Sequence, residues 1–186
     1  MKDYTENRTI ENSNHLNSGT YENCIFNNCN LSESNLSQIK FIDCVFNSCN
    51  LSMANITNTA FQDVKFNECK MLGLKFETCN NFGLSFTFNH CSLNHSSFFK
   101  LDLKKIIFNH CLLFETDFTE ANLTESIFNA CDLNNALFYH STLIKSDFRT
   151  AFNFAIDPEK NKLNKAKFSL DGLSGLLLKY NIDIEP

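Results

Sequence analysis

The sequence predicts an all-β fold: a square coil of short extended segments stacked on one another and closed at the C-terminus by a helix. Three observations predict it. The hexamer "FNNCNL" at Phe26 returns as "FNSCNL" at Phe46, "FNECKM" at Phe66, "FNHCSL" at Phe88, "FNHCLL" at Phe108 and "FNACDL" at Phe128. Between these copies an apolar residue recurs at every fifth position, from Phe26 to Phe76 and again from Phe88 to Phe148. All nine cysteines fall at the small position of this five-residue grid, two before its centre. Neither a helix (period 3.6) nor a strand (period 2) produces such a pattern. A period of five inside a period of twenty means four sides per turn, with turns stacked at the parallel-strand spacing of about 4.8 Å.

Each element follows in order. Residues 1–15, "MKDYTENRTIENSNH", are polar and read as an N-terminal segment or cap. Residues 16–168 form the coil. The centre and the small residue two before it lie on the same face of an extended segment, so both point inward. Stacking then builds a column of Phe26, Phe46, Phe66, Phe88, Phe108, Phe128 and Phe148 beside a column of Cys29, Cys49, Cys69, Cys91, Cys111 and Cys131. The step from Phe66 to Phe88 is 22 residues, and the excess falls in "NNFGLS". This predicts a bulge or short loop near 80–85, formed by Asn80, Asn81, Phe82 and Gly83, with Phe82 replacing the missing centre. The pattern falters over 150–162, which predicts a loop around Pro158, and returns at Leu163 and Phe168.

Residues 169–186 read as a C-terminal helix and tail. Ser169 is the expected N-cap, and Leu170, Leu173, Leu177 and Tyr180 follow helical spacing. Gly172 and Gly175 make it a poor isolated helix, so packing must hold it. An open coil end exposes apolar layers and needs a cap. Leu176 and Leu178 add apolar surface beyond one helical face, which predicts a homodimer through Leu173, Leu176, Leu177, Leu178 and Tyr180. Ile182 to Ile184 reads as a short pairing strand.

Composition excludes several function classes. The cysteine count is odd and no CxxC pair occurs. With no secretion signal in the first residues, reduced thiols in a cytoplasmic protein are expected. Stacked thiols with parallel vectors do not meet disulfide geometry, and a straight ladder cannot gather four zinc ligands. No run of about 18 apolar residues predicts a membrane span. A net charge of −5 argues against direct nucleic-acid binding. No phosphate loop, GxSxG elbow or HExxH occurs, so no enzyme activity and no cofactor are expected. His90 and His110 stack as outward neighbours, too few for a catalytic metal site.

The units "ANLTE" (Ala121 to Glu125), "SNLSQ" (Ser34 to Gln38), "CNLSE" (Cys29 to Glu33) and "CDLNN" (Cys131 to Asn135) resemble the pentapeptide-repeat family over roughly residues 20–170. The resemblance implies a right-handed quadrilateral β-helix with a C-terminal capping and dimerisation α-helix. The Cys-rich small positions, loop-poor stack and Leu-rich C-terminus are similar to the Qnr-type and MfpA-type members. Those are dimers that imitate duplex DNA, bind bacterial type II topoisomerases and protect them from quinolones or other gyrase poisons. What the resemblance implies here is a DNA mimic that binds DNA gyrase or topoisomerase IV.

DNA mimicry needs outward carboxylates. Glu115, Asp117, Glu120 and Glu125 lie in a turn without Lys or Arg, and Asp132 and Asp147 extend this zone, while Lys65, Lys70, Lys75, Lys100, Lys104 and Lys105 crowd the middle turns. This reads as a charge polarised along the rod. Outward apolar residues gather in the later turns, among them Phe99, Ile107, Leu112, Phe114, Ile127, Leu137 and Tyr139. The partner-binding residues expected are therefore Glu115, Asp117, Glu120, Glu125, Asp132, Phe114 and Tyr139. The competing reading is a scaffold or adaptor that binds another protein through the acidic and apolar faces. A third reading, a metal- or thiol-based activity, has only the histidine pair and the inward cysteines behind it.

Overall fold

The computed structural model describes residues 3–183. Eleven short strands occur among them: β1 (Asp3–Glu6), β2 (Thr9–Glu11), β3 (Gly19–Glu22), β4 (Ile25–Asn27), β5 (Lys40–Ile42), β6 (Val45–Asn47), β7 (Ala60–Gln62), β8 (Val64–Asn67), β9 (Phe86–Asn89), β10 (Ile107–Asn109) and β11 (Ile127–Asn129). Every strand pair is parallel, as a coil stacked on itself requires. We number the sides from the hexamer: side 1 carries the Phe26 centre, side 2 Leu31, side 3 Leu36 and side 4 Phe41. Side 1 is a seven-stranded sheet from β2 to β11, and side 4 starts as the sheet β1, β3, β5, β7. Sides 2 and 3 are held by single bridges, such as Asn30 to Asn50 and Asp117 to Leu137. The architecture is a quadrilateral β-helix.

Register follows the repeat. Phe26, Phe46, Phe66, Phe88, Phe108 and Phe128 pair in succession, and the rings from Phe26 to Phe148 stack with centroids 4.4 to 5.4 Å apart. A second column, Phe76, Phe98, Phe118 and Phe138, meets the first edge-on. Stacked rings within columns and T-shaped contacts between them satisfy the quadrupole preference of both.

The small position has a second requirement besides size. Cys49 Sγ donates to the Phe26 carbonyl at 3.4 Å and Cys91 Sγ to Phe66 at 3.4 Å, while Thr59 Oγ1 reaches Leu36 O and Ser141 Oγ reaches Phe118 O, both at 2.8 Å. An inward carbonyl of the preceding turn thereby gains a donor, which favours Cys, Ser and Thr there. All nine thiols are free and buried. Burial pushes the Cys44 thiol up to about 11, so it stays protonated.

Most corners, two residues past a centre, take the left-handed conformation, as at Asn28 (φ 53°), Glu33 (56°) and Lys100 (60°); Thr78, in a 3-10 turn, and Thr150 do not. For a non-glycine residue this costs about 1–2 kcal/mol. The corner N–H recovers part of it by bonding the next turn, as in Asn28 N to Asn47 O at 3.0 Å and Glu33 N to Ser52 O at 2.9 Å. The asparagine after each hexamer phenylalanine forms a ladder. Asn47, Asn67, Asn89, Asn109 and Asn129 each donate Nδ2 to Oδ1 of the asparagine one turn earlier, beginning at Asn27.

Three regions depart from the expected pattern. The coil begins before residue 16: β1 and β2 extend both sheets, with Thr5 on Tyr21 and Ile10 on Phe26. That first turn is sixteen residues long, so its centres fall off the five-residue grid counted from Phe26. Phe82 does not replace the missing centre; it is 81% exposed. Phe86 fills the gap instead, with its ring against Phe76 at 5.3 Å and Phe88 at 5.1 Å. The reason is that Asn81, Phe82 and Gly83 all lie outside, Gly83 (φ 67°) taking the left-handed conformation of a corner, so the interior is filled by Leu84 packed on the core and by enlarged small positions, Val64, Phe86 and Ile106, all three buried.

The third departure is the C-terminal cap. The 150–162 loop is not a decoration: Phe154 and Ile156 turn inward, and Phe154 packs on Phe148 and Phe168. The helix is a single α-turn, α1 (Ser174–Leu177), between 3-10 turns at Asp171–Leu173 and Leu178–Tyr180. Ser169 Oγ accepts the Gly172 N–H at 3.2 Å, as an N-cap does. Gly172 and Gly175 lie against Phe154, where an added Cβ would stand 2.9 Å from its ring and 2.3 Å from its carbonyl oxygen. Close approach, not helix propensity, explains both glycines. Leu176 is the leucine that packs on the core, while Leu170, Leu173, Leu178 and Tyr180 face outward. Ile182 and Asp183 are not in a strand, and Ile184 lies outside the described residues.

Candidate partner-binding surface

Five residues are a quarter of a turn, so a run of sequence becomes a belt around the rod. Glu115, Glu120 and Glu125 occupy three successive corners and therefore three different edges. They do not form one acidic patch. Each also meets a basic side chain one turn away: Glu115 Oε2 lies 3.1 Å from His95 Nδ1, Glu120 lies 3.4 Å from Lys100, and Glu125 lies 3.1 Å from Lys145 and 3.9 Å from Lys105. The hydrogen bond from Lys145 holds the Glu125 carboxyl below the usual range. Asp147 is engaged by Arg149 at 2.7 Å and Lys167 at 3.8 Å. The expected polarisation is thus reduced, because Lys100 and Lys105 of the middle turns stack on the later carboxylates Glu120 and Glu125. Exposed pairs add little stability, about 0–1 kcal/mol each, but they neutralise the field near the surface.

Asp117 and Asp132 differ. Neither has a Lys, Arg or His within ion-pair distance among the described residues. Asp117 Oδ1 accepts the Thr119 N–H at 2.8 Å, and Asp132 Oδ1 accepts the Asn134 N–H at 3.1 Å and Asn153 Nδ2 at 2.9 Å. Apolar side chains surround them. Asp132 is bridged between Leu112 and Phe152 on side 2, and Asp117 pairs with Leu137 on side 3. Leu112, Leu137, Tyr139 and Phe152 are all about half exposed. Phe114 is half-buried, its ring edge-on to His95 at 5.3 Å. The structure therefore joins Phe114 to Glu115 and Asp132 to Phe152, while Tyr139 stands on the next side. Phe152 was missed by sequence reasoning, although it falls on the five-residue grid twenty residues after Asp132.

The insertion presents Phe82 from side 4, with Asn80 Oδ1 accepting the Phe82 N–H at 2.9 Å and Gln62 Nε2 donating to the Phe82 carbonyl at 3.1 Å. Asn81 O accepts the Leu84 N–H to close the turn at Gly83. At the C-terminal end Leu173, Leu178 and Tyr180 are exposed, and Leu176 and Leu177 are half-buried. His90 and His110 stack in parallel at 4.7 Å. Among the described residues no group of three His, Cys, Asp or Glu could hold a metal ion, and no helix is long and apolar enough to cross a membrane.

Residues 20–98 match the pentapeptide repeat region, and residues 116–152 match the pentapeptide repeats (8 copies); together they span more than half of the chain. The chain belongs to the pentapeptide-repeat family. A trypsin-treated form of QnrB1, a plasmid-mediated fluoroquinolone resistance protein, superposes with a TM-score of 0.67 at 18% identity, covering 99% of this chain and 98% of that one. Full-length QnrB1 gives 0.54 at 17% identity, covering 97% and 100%. HetL, a pentapeptide repeat protein involved in heterocyst differentiation regulation in the cyanobacterium Nostoc, gives 0.50 at 12% identity, covering 88% and 86%. At these identities the likeness extends to the fold. No curated protein matches the chain.

Proposed function

We propose that this pentapeptide-repeat protein is a cytoplasmic, non-enzymatic homodimer that binds a bacterial type II topoisomerase, DNA gyrase or topoisomerase IV, and opposes quinolones or similar poisons. The observation that supports the reading best is the end-to-end likeness to QnrB1, which includes the C-terminal end. The exposed Leu173, Leu178 and Tyr180 supply an apolar surface on which two copies would meet through a two-fold contact. Pure DNA mimicry is the weaker part of the idea, since Glu120 and Glu125 are paired with lysines and Glu115 with His95. A mixed contact through Asp117, Asp132 and the neighbouring apolar side chains fits the surface better.

DNA supercoiling by gyrase, with the purified protein titrated in and with or without ciprofloxacin, tests the proposal. Inhibition or drug rescue at low micromolar protein is expected. No effect on gyrase or topoisomerase IV would favour the second reading, an adaptor for another protein. What favours that reading is the same set of half-exposed residues, Leu112, Leu137, Tyr139 and Phe152. Light scattering at micromolar concentration checks the dimer.

A further inference from the structure

Between the last coil turn and the C-terminal cap lies an open cavity of about 510 Å³. Its walls are unlike the rest of the rod. Phe152 stands at one side with nearly half its surface exposed, and Phe154 lies in the wall below Gly172 and Gly175. Ser174 and Asp171 come from the cap itself. Asp171 is the one charged residue in the lining, and no Lys, Arg or His stands within ion-pair distance of it among the described residues. Asp132, equally unpaired, lies directly beneath Phe152 in the side 2 column.

We infer that this cavity receives an arginine side chain from a protein partner. A recess with the exposed Phe152 ring at one side, hydroxyl groups and an unmatched carboxylate calls for a planar cation. Guanidinium meets all of these at once: it stacks on aromatic rings and gives a carboxylate two parallel N–H donors, whereas an ammonium offers a point charge. The local charge points the same way, because the one charged residue in the lining is the carboxylate of Asp171. A neutral apolar anchor would leave Asp171 partly desolvated without a partner, which is costly.

The occupant does not come readily from a second copy. The sequence contains two arginines, Arg8 and Arg149. Arg149 is already locked on its own Asp147, with Nη2 to Oδ2 at 2.7 Å and Nε to Oδ1 at 3.0 Å. Arg8 sits at the opposite end of the rod, so its use would join copies head to tail into an open filament rather than a closed dimer. The partner is therefore a different protein that presents an exposed arginine. This inference stands whether or not that partner is a topoisomerase, and because Leu178 also lines the cavity it requires that the homodimer contact leave the mouth open.

The test is an amide NMR titration of the full chain with acetyl-Gly-Arg-Gly-amide, and in parallel with its lysine counterpart. Saturable shifts confined to Gly172, Ser174, Gly175 and Phe152 are expected, with the lysine peptide at least about threefold weaker. Asp171→Asn should weaken the arginine peptide by about tenfold or more, and Phe152→Leu by a smaller factor, while Glu33→Gln on a distant corner should change nothing. Phe152 is surface-exposed, so its variant keeps the fold. Equal response to both peptides, unchanged binding in Asp171→Asn, or shifts spread along the rod would overturn the assignment. Concentration-dependent filaments abolished by Arg8→Ala would overturn it too, by making a second copy the occupant.

Discussion

The early and late turns of this coil share one interior and differ in their exterior. From Phe26 to Phe76, side 2 and side 3 present Asn30, Asn50, Asn35 and Asn55 outward; from Phe98 to Phe148 the equivalent positions are Leu112, Asp132, Asp117 and Leu137. Inside, the phenylalanine columns run through both halves with the same spacing. Burial demands are identical in every turn, so the inward residues repeat. Nothing in the packing requires an exposed leucine or tyrosine, so the proposed recognition is assigned to the late exterior.

If the two interiors are equivalent, Phe46→Ala and Phe108→Ala should be equally harmful. Each ring is sandwiched between two others and fully buried, and each loss should cost about 3–5 kcal/mol in urea unfolding. A large difference would break the comparison. Gly175→Ala should act on the cap alone, costing about 1–3 kcal/mol because the new methyl meets the Phe154 carbonyl. Hydrogen exchange should then rise around residues 154–180 and not near β4 or β6. Removing one rung of the amide ladder, by Asn67→Ala or Asn109→Ala, should cost about 0.5–1.5 kcal/mol in either half.

A pH titration separates the cap from the coil. Lys179 bridges Asp157 at 2.6 Å and Glu159 at 2.7 Å. Its hydrogen bonds hold both carboxyls below their ordinary values. A depressed carboxylate contributes stability above its unfolded pKa, about 4 for these groups, and loses it as pH falls through the lower folded value. Acid should therefore loosen the cap, as it weakens the Glu125 and Asp147 pairs of the late coil, and Lys179→Met should remove the cap's share of that pH dependence. The smallest effect belongs to the surface: Leu112→Ser and Glu115→Gln should each change stability by less than about 0.5 kcal/mol.

Much of the interior was legible from periodicity, because a five-residue grid dictates which side chains point inward. The columns of Phe26 and of Cys29 follow from it directly. The first turn escaped because sixteen residues put Ile10 off that grid, and Phe86 escaped because a bulky residue at a small position reads as noise until Asn81, Phe82 and Gly83 are all seen to lie outside. The exterior was harder to read. Belt-like spacing made Glu115, Glu120 and Glu125 look like one patch, although the twenty-residue offsets to His95, Lys100 and Lys145 were already in the sequence. Hydrogen-bonded neighbours across turns, such as the asparagine ladder, follow from the same offset.

The most direct test of recognition by the late exterior is the gyrase supercoiling assay with ciprofloxacin, run on three proteins: the natural chain, Leu112→Ser with Leu137→Ser, and Asn30→Ala with Asn50→Ala. The natural chain and the early-turn variant should act alike at low micromolar concentration, and the late-turn variant should be at least about tenfold weaker, a loss of about 1.4 kcal/mol. Full activity of the late-turn variant alongside a weakened early-turn variant would contradict recognition by the late exterior.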